Sequence, residues 1–151
     1  MNLFKIILCY FLIGCSSIAY GINKTKNFKY KISKVFDYGG IIWSIEFINS
    51  SDIIFSDKKG KIFIYQNSEL IKIDNVPEVY NIGQGGLMDI ELHPNFKTNR
   101  TIYFSYSKKV DEDGGNTAVA KATLNNNKLS DLYDIFIGKE KSNIGYHWGS
   151  R

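Results

Sequence analysis

The sequence has few of the residues that define disulfide-rich, thiolate-metal or disordered proteins. It contains two cysteines and two prolines among 151 residues. Both cysteines, Cys9 and Cys15, lie near the N-terminus, so the chain beyond residue 21 has neither a disulfide framework nor a thiolate metal site. Hydrophobic residues make up 44% and aromatic residues 15% of the chain, unlike a disordered segment. We therefore expect a folded protein of about one ordinary domain.

Charge of one sign is not concentrated anywhere along the chain. The 19 lysines and arginines exceed the 15 acidic residues by a formal net charge of +4. The basic residues are interleaved with Asp and Glu. A nucleic-acid-binding surface would instead gather its basic residues in one stripe. Nucleic-acid binding is therefore not indicated.

The first 21 residues form a separate unit. Asn2 and Lys5 introduce an apolar run, Ile6 to Ile13, which has the length of a signal peptide and is shorter than the roughly 20 residues that span a bilayer. Two processing sites stay open: a bacterial lipobox ending in Cys15, which would be acylated, and ordinary cleavage after Gly21. We expect residues 1–21 to be a signal peptide and the protein to be exported, either periplasmic or a membrane-anchored lipoprotein.

The remaining sequence has the periodicity of strands. Residues 22–40 are expected to hold a polar tether and a first strand, and residues 41–151 the domain itself. Short β-branched and aromatic runs alternate there with turn clusters, while no window shows sustained helical spacing, so helices should be short. Eight strands are predicted: Ile41–Ile48, Ile53–Ser56, Lys61–Tyr65, Leu70–Ile73, Leu87–Leu92, Thr101–Ser107, Thr117–Leu124 and Leu132–Ile137.

The strands fall into two groups of four, and this grouping allows two all-β architectures. Groups that start about 45 residues apart are typical of β-propeller blades, each of which is a four-stranded sheet buried by its neighbours. An immunoglobulin-like sandwich has a similar strand count and turn spacing. Strand counting alone does not choose between them.

Two motifs carry more specific information. Gly83-Gln84-Gly85-Gly86-Leu87-Met88-Asp89 lacks the Gly-Lys-Ser/Thr continuation of a phosphate-binding loop, so its glycines are expected to turn the backbone sharply and present Gln84. The chain ends in His147-Trp148-Gly149-Ser150-Arg151, with the spacing His-x-Gly-x-Arg. From about Ile42 to Arg151 the sequence resembles the soluble quinoprotein sugar dehydrogenases, the glucose/sorbosone dehydrogenase family.

The resemblance implies an all-β fold, a six-bladed β-propeller in full-length members. This chain would contribute about two blades and the start of a third, and would be a fragment that is inactive alone. The implied reaction oxidises the anomeric hydroxyl of aldose sugars to lactones, with hydride transfer to pyrroloquinoline quinone (PQQ) and then electron transfer to an unidentified acceptor.

The resemblance also implies roles for particular residues. His147 would be the catalytic base, because a neutral imidazole can accept the hydroxyl proton. Gln84 would contact both substrate and cofactor, and Arg151 offers a fork of donors to the carboxylates of the quinone. Tyr146 and Trp148 would line the sugar site. No metal site is expected in this chain, and the calcium ligands of the family are expected beyond residue 151.

Other candidates are expected to be structural. His93, in His93-Pro94-Asn95, belongs to a turn, and Trp43 is expected to pack between blades. Asp111-Glu112-Asp113-Gly114 lacks the spacing of a calcium-binding EF-hand loop and predicts a solvated turn.

An alternative function remains, because a fold does not determine an activity. The chain would then be a non-enzymatic propeller or sandwich, anchored to a membrane through Cys15, that binds a glycan or a protein.

Overall fold

The computed structural model describes residues 22–24 and 26–149 and shows ten strands and one short helix there. The chain divides into two compact units, residues 1–37 and 38–151. In the described part of the first unit, β1 (Ile22–Lys24) pairs antiparallel with β2 (Lys29–Lys31). The stretch expected to be a tether thus contains a hairpin. The predicted signal peptide and Cys15 lie outside the described residues.

The second unit contains two four-stranded antiparallel sheets, each with its strands in chain order. The first sheet consists of β3 (Ile42–Phe47), β4 (Ile53–Asp57), β5 (Lys61–Gln66) and β6 (Glu69–Ile73). The second consists of β7 (Leu87–Leu92), β8 (Thr101–Asp111), β9 (Gly114–Asn125) and β10 (Lys128–Ile137). Consecutive strands within each sheet are the arrangement of propeller blades, whereas immunoglobulin sandwiches connect strands in a Greek-key order.

The strand prediction is confirmed for all eight strands of this unit, with differences at their ends. The turn expected over Asp111 to Gly115 is shorter, because Gly114 pairs with Asp111 and Gly115 with Lys109 in the β8–β9 ladder. The helix α1 (Phe96–Asn99) has four residues, in agreement with the expectation of short helices. In the part of the chain that the structure describes, no helix has the length and apolar character needed to cross a bilayer.

The core lies between the two sheets. Alternate residues of β5, β8 and β9 face it, as the two-residue period of a strand predicts, whereas all five residues of β4 are buried. Small side chains on β9 allow close packing against the larger apolar residues of the neighbouring strands. The buried cluster includes Ile54, Ile62, Ile64, Ile73, Leu87, Ile90, Ile102, Phe104, Tyr106, Ala118, Ala120, Ala122, Leu124 and Leu129.

Polar contacts fix the first strands of the two sheets to each other. Ser44 Oγ on β3 donates to Asp89 Oδ1 on β7 at 2.7 Å. Ser56 Oγ on β4 donates to the carbonyl oxygen of Met88 at 2.5 Å in a fully buried position. Buried hydroxyl groups that find such partners avoid a desolvation penalty. Strand β7 is consequently held beside β3 and β4.

Candidate functional site

The two loops that carry the sequence motifs meet in the structure. The backbone N–H of Gln84 donates to the carbonyl oxygen of Gly145 at 2.7 Å. In the opposite direction, the N–H of His147 donates to Oε1 of Gln84 at 3.1 Å. The loop before β7 and the loop after β10 are therefore joined by two hydrogen bonds, one to the backbone and one to the side chain of Gln84.

Glycines make this close approach possible. Gly83 has a φ of +54°, and a Cβ atom added to it would lie 2.3 Å from the carbonyl oxygen of Gly145. A Cβ on Gly145 would in turn lie 3.0 Å from the Cα of Gly83. Only glycine fits at Gly83, because both the backbone angle and the available space exclude a side chain. The expected sharp, positive-φ turn in front of β7 is confirmed.

His147 is exposed and has an unusual backbone conformation. Its φ is +61°, in the left-handed region, which is uncommon for residues with a side chain. The ring of Tyr146, itself exposed, lies edge-on to the imidazole with 6.4 Å between ring centroids. An exposed imidazole can exchange protons with a bound alcohol. The loop therefore presents a potential base and an aromatic ring side by side.

Trp148 is buried rather than presented to solvent. Its side chain is 4% exposed, and its ring packs against Tyr80 with centroids 5.8 Å apart. Its carbonyl oxygen accepts a hydrogen bond from Thr117 Oγ1 on β9 at 2.5 Å. The indole Nε1 is buried without a hydrogen-bond partner. A buried unpaired donor is uncommon in folded proteins, and this one lies against Gly85, where an added Cβ atom would be 3.0 Å from Nε1.

A cavity of about 280 Å³ lies where these loops meet the inner strands. Its lining is aromatic and apolar, with one amide: Trp43, Gln84, Met88, Trp148 and Gly149. Trp43 comes from β3 and Met88 from β7. A concave site with apolar walls and few polar groups is typical of sites for small molecules. The sequence predicts that Trp43 packs between blades, and it places Met88 in the Gly83–Asp89 motif without indicating a role for its side chain.

The structure brings Gln84, His147 and Trp148 together, with Tyr146 beside His147. Arg151 lies outside the described residues, so its contact with the cofactor stays a prediction. His93 lies in the turn before α1, where Nδ1 accepts from the N–H of Asn95 at 2.9 Å. That contact agrees with a structural role. No group of three or more His, Cys, Asp or Glu side chains in residues 22–24 and 26–149 could hold a metal ion.

Comparisons with known proteins identify the family of this chain. Residues 40–151 match the family described as Glucose / Sorbosone dehydrogenase. Aldose sugar dehydrogenase YliI of Escherichia coli is 30% identical over 114 residues, which cover 72% of this chain and 31% of that protein. The apo-form structure of the soluble aldose sugar dehydrogenase from Escherichia coli has a TM-score of 0.66 and 30% identity, covering 73% of this chain and 33% of that one.

A more distant structure shows the same fold. The PQQ-bound form of aldose sugar dehydrogenase from Streptomyces coelicolor has a TM-score of 0.57 at 19% identity, covering 68% of this chain and 32% of that one. The chain spans 29% to 31% of the length of the curated relatives that it matches. The two described sheets thus correspond to part of each relative.

Proposed function

Because the chain belongs to the glucose/sorbosone dehydrogenase family, we propose that it supplies part of the active site of a PQQ-dependent aldose sugar dehydrogenase. The reaction would oxidise the anomeric hydroxyl of an aldose to a lactone. One observation carries the proposal: the loop of His147 is hydrogen-bonded to Gln84 at the rim of an aromatic cavity. A base, an amide and an apolar pocket that adjoin one another support such an oxidation, which also needs a cofactor that accepts the hydride.

The cavity fits one portion of PQQ, a planar aromatic tricarboxylate. Trp43 and Trp148 offer apolar aromatic walls. Gln84 would hold a quinone oxygen through its amide, since Oε1 accepts from His147 and Nε2 keeps two donor hydrogens. The described lining contains no cation for the carboxylates, so Arg151 is proposed for that contact. When bound, PQQ supplies a two-electron acceptor for the hydride of the anomeric carbon.

His147 performs the proton transfer in this proposal. Its neutral imidazole accepts the proton of the anomeric hydroxyl while the C–H bond at the same carbon breaks and the C–O bond becomes the lactone carbonyl. A well-positioned general base contributes about 10²–10⁴-fold to a rate. Tyr146 lies beside the imidazole, where its exposed ring could pack on the face of the sugar. Calcium would be bound by residues outside this chain.

The cellular location is a separate proposal that rests on residues 1–21. An apolar run followed by Cys15 supports export and acylation, which would place the protein at a membrane facing the periplasm. Labelling of growing cells with radioactive palmitate should mark the protein, and Cys15→Ser should abolish the label. Cleavage after Gly21 with no label in either protein would reject acylation and leave a soluble periplasmic form.

The activity is tested with full-length protein reconstituted with PQQ and calcium. Addition of an aldose should reduce a dye acceptor and yield the lactone, as detected by chromatography. Absorbance titration of PQQ in the same preparation checks that the cofactor binds. Bound PQQ without turnover of any aldose would contradict the proposal and favour a non-enzymatic binding module.

A further inference from the structure

One short stretch of β9, Gly115 to Thr117, holds the start and middle of the loop that carries His147. Gly115 and Ser142 exchange two backbone hydrogen bonds of 3.0 and 2.8 Å. The N–H of Gly138 donates to the carbonyl oxygen of Thr117 at 2.7 Å, and Asn116 Nδ2 donates to the carbonyl oxygen of Gly138 at 2.7 Å. The loop is therefore anchored to β9 well before it reaches His147.

The end of the loop depends on a single side chain of the same stretch. Thr117 Oγ1 donates to the carbonyl oxygen of Trp148 at 2.5 Å. Trp148 directly follows His147, so this bond fixes the Trp148–Gly149 peptide, one peptide unit beyond the histidine. On the N-terminal side, the N–H of His147 is held by Oε1 of Gln84. One contact comes from β9 and the other from the loop before β7, and they hold the backbone on either side of His147.

The backbone of His147 needs this support. Its φ of +61° is unfavourable for a residue with a Cβ atom and persists only where the surroundings enforce it. Gly149, two residues later, has a φ of +64° at no such cost, because it is glycine. If the contact of Gln84 to His147 or that of Thr117 to Trp148 were lost, the segment would relax toward commoner backbone angles and the imidazole would move.

We propose that Thr117 is a positioning residue, whose hydroxyl holds His147 in the left-handed conformation from which it abstracts the substrate proton. The inference rests on the proposed role of His147 as the base. Thr117 acts through the Trp148 carbonyl and does not itself contact substrate. This proposal predicts that the hydroxyl group of Thr117, and not merely the shape of its side chain, is required to position His147.

Hydrogen exchange in full-length protein without PQQ tests the positioning role independently of activity. Thr117→Val preserves the shape and removes the donor, whereas Thr117→Ser keeps the donor. Thr123→Val is the matched control, because Thr123 lies on the same strand about 20 Å away at the usual strand rise. Peptides covering residues 145–149 should exchange about tenfold faster in Thr117→Val, as expected for local opening of a weakly held loop. The other two variants should exchange like the unaltered protein.

Steady-state kinetics of the reconstituted protein provide the second measurement. Displacement of the base should lower kcat about tenfold in Thr117→Val with little change in KM, because base geometry matters in the transition state. Thr117→Ser should restore kcat. A rise in KM with an unchanged kcat would show a substrate-binding effect and would overturn the inference.

The outcomes separate this inference from the proposed function. If the exchange of residues 145–149 is unchanged in Thr117→Val, the positioning role is wrong, whatever the activity. Faster exchange throughout β8 and β9 would show that the hydroxyl of Thr117 supports the whole sheet, and this result would also overturn the positioning role. Faster exchange confined to residues 145–149 in Thr117→Val would support the positioning role of Thr117. If His147→Ala also retained full activity, His147 would be rejected as the base, and with it the proposed function of this loop.

Discussion

Gln84 and His147 are 63 positions apart in sequence, and the backbone N–H of His147 donates to the side-chain Oε1 of Gln84 at 3.1 Å. Gln84 also donates its own backbone N–H to Gly145, two residues before His147, at 2.7 Å. The glutamine therefore has two functions in our account. It fixes the loop of the proposed base, and it keeps its amide nitrogen for a ligand in the cavity.

Replacement of Gln84 by alanine should lower kcat strongly and stability only slightly. The exposed side chain contributes one surface hydrogen bond, worth about 0.5–1.5 kcal/mol, while displacement of a catalytic group can cost roughly 10²-fold in rate. Gln66→Ala is the control, because Gln66 is at the end of β5, away from the two loops, and its Nε2 donates to Asp52 Oδ2 at 2.6 Å. It should lower the urea midpoint and leave kcat unchanged. Full activity in Gln84→Ala would exclude its role.

Replacement of Gly83 by alanine should separate the two loops. The added Cβ would meet the carbonyl oxygen of Gly145 at 2.3 Å and would also occupy a left-handed position, costing on the order of 1–3 kcal/mol for the backbone alone. Gly39→Ala is the matched control, since nothing lies within 4 Å of the added atom. Thermal unfolding should show a lower Tm for Gly83→Ala only. Equal Tm values for the two variants would refute the close approach.

The strand pattern was predictable because apolar and polar residues alternate wherever a sheet has one buried face. The boundaries of the turns are less predictable. Gly114 and Gly115 suggest a turn, but they continue the ladder of a long β8–β9 hairpin. The β1–β2 hairpin has no alternating pattern, because all of β2 is exposed. Its polar sequence therefore predicts a tether.

The candidate site was predictable in its loops and not in its contacts. Gln84 and His147 were selected through motifs, whereas the meeting of their loops follows from tertiary structure. Thr117 has no sequence signal, because a threonine on a strand is ordinarily a packing residue. The burial of Trp148 depends likewise on Tyr80 and Gly85, which only the fold brings beside it.

Replacement of Tyr106 by phenylalanine should destabilise the second sheet without affecting the site. Tyr106 is buried on β8 and its hydroxyl donates to Asp134 Oδ1 at 2.6 Å, with Lys108 paired to the other carboxylate oxygen. Burial, then the bond to Asp134, raises the pKa of Tyr106 above its usual value of about 10, so the hydroxyl remains a donor in alkaline solution as well. Loss of a bond to a charged group costs about 1.5–3 kcal/mol. Urea unfolding at pH 7 measures this, and an unchanged midpoint would disprove it.

The ion pair of Lys141 and Asp111 should make stability depend on acidic pH. Lys141 Nζ lies 2.9 Å from Asp111 Oδ2 and lowers the pKa of that carboxyl group, chiefly through this hydrogen bond. A lowered pKa in the folded state gives stability that is present above the unfolded value of about 3.9 and is lost as the pH falls through the folded value. Asp111→Asn should reduce this acid dependence in low salt. Both side chains are about half exposed, so high salt should diminish the difference.

The central claim is that His147 is the base, and kcat of reconstituted full-length His147→Ala tests it most directly. His93→Ala is the comparison, since His93 is the second of two histidines and lies in a structural turn. We predict a loss of about 10²–10⁴-fold in aldose oxidation for His147→Ala, with PQQ binding retained, and a kcat for His93→Ala close to that of the unaltered protein. A His147→Ala protein that oxidises the sugar at the unaltered rate would contradict the account.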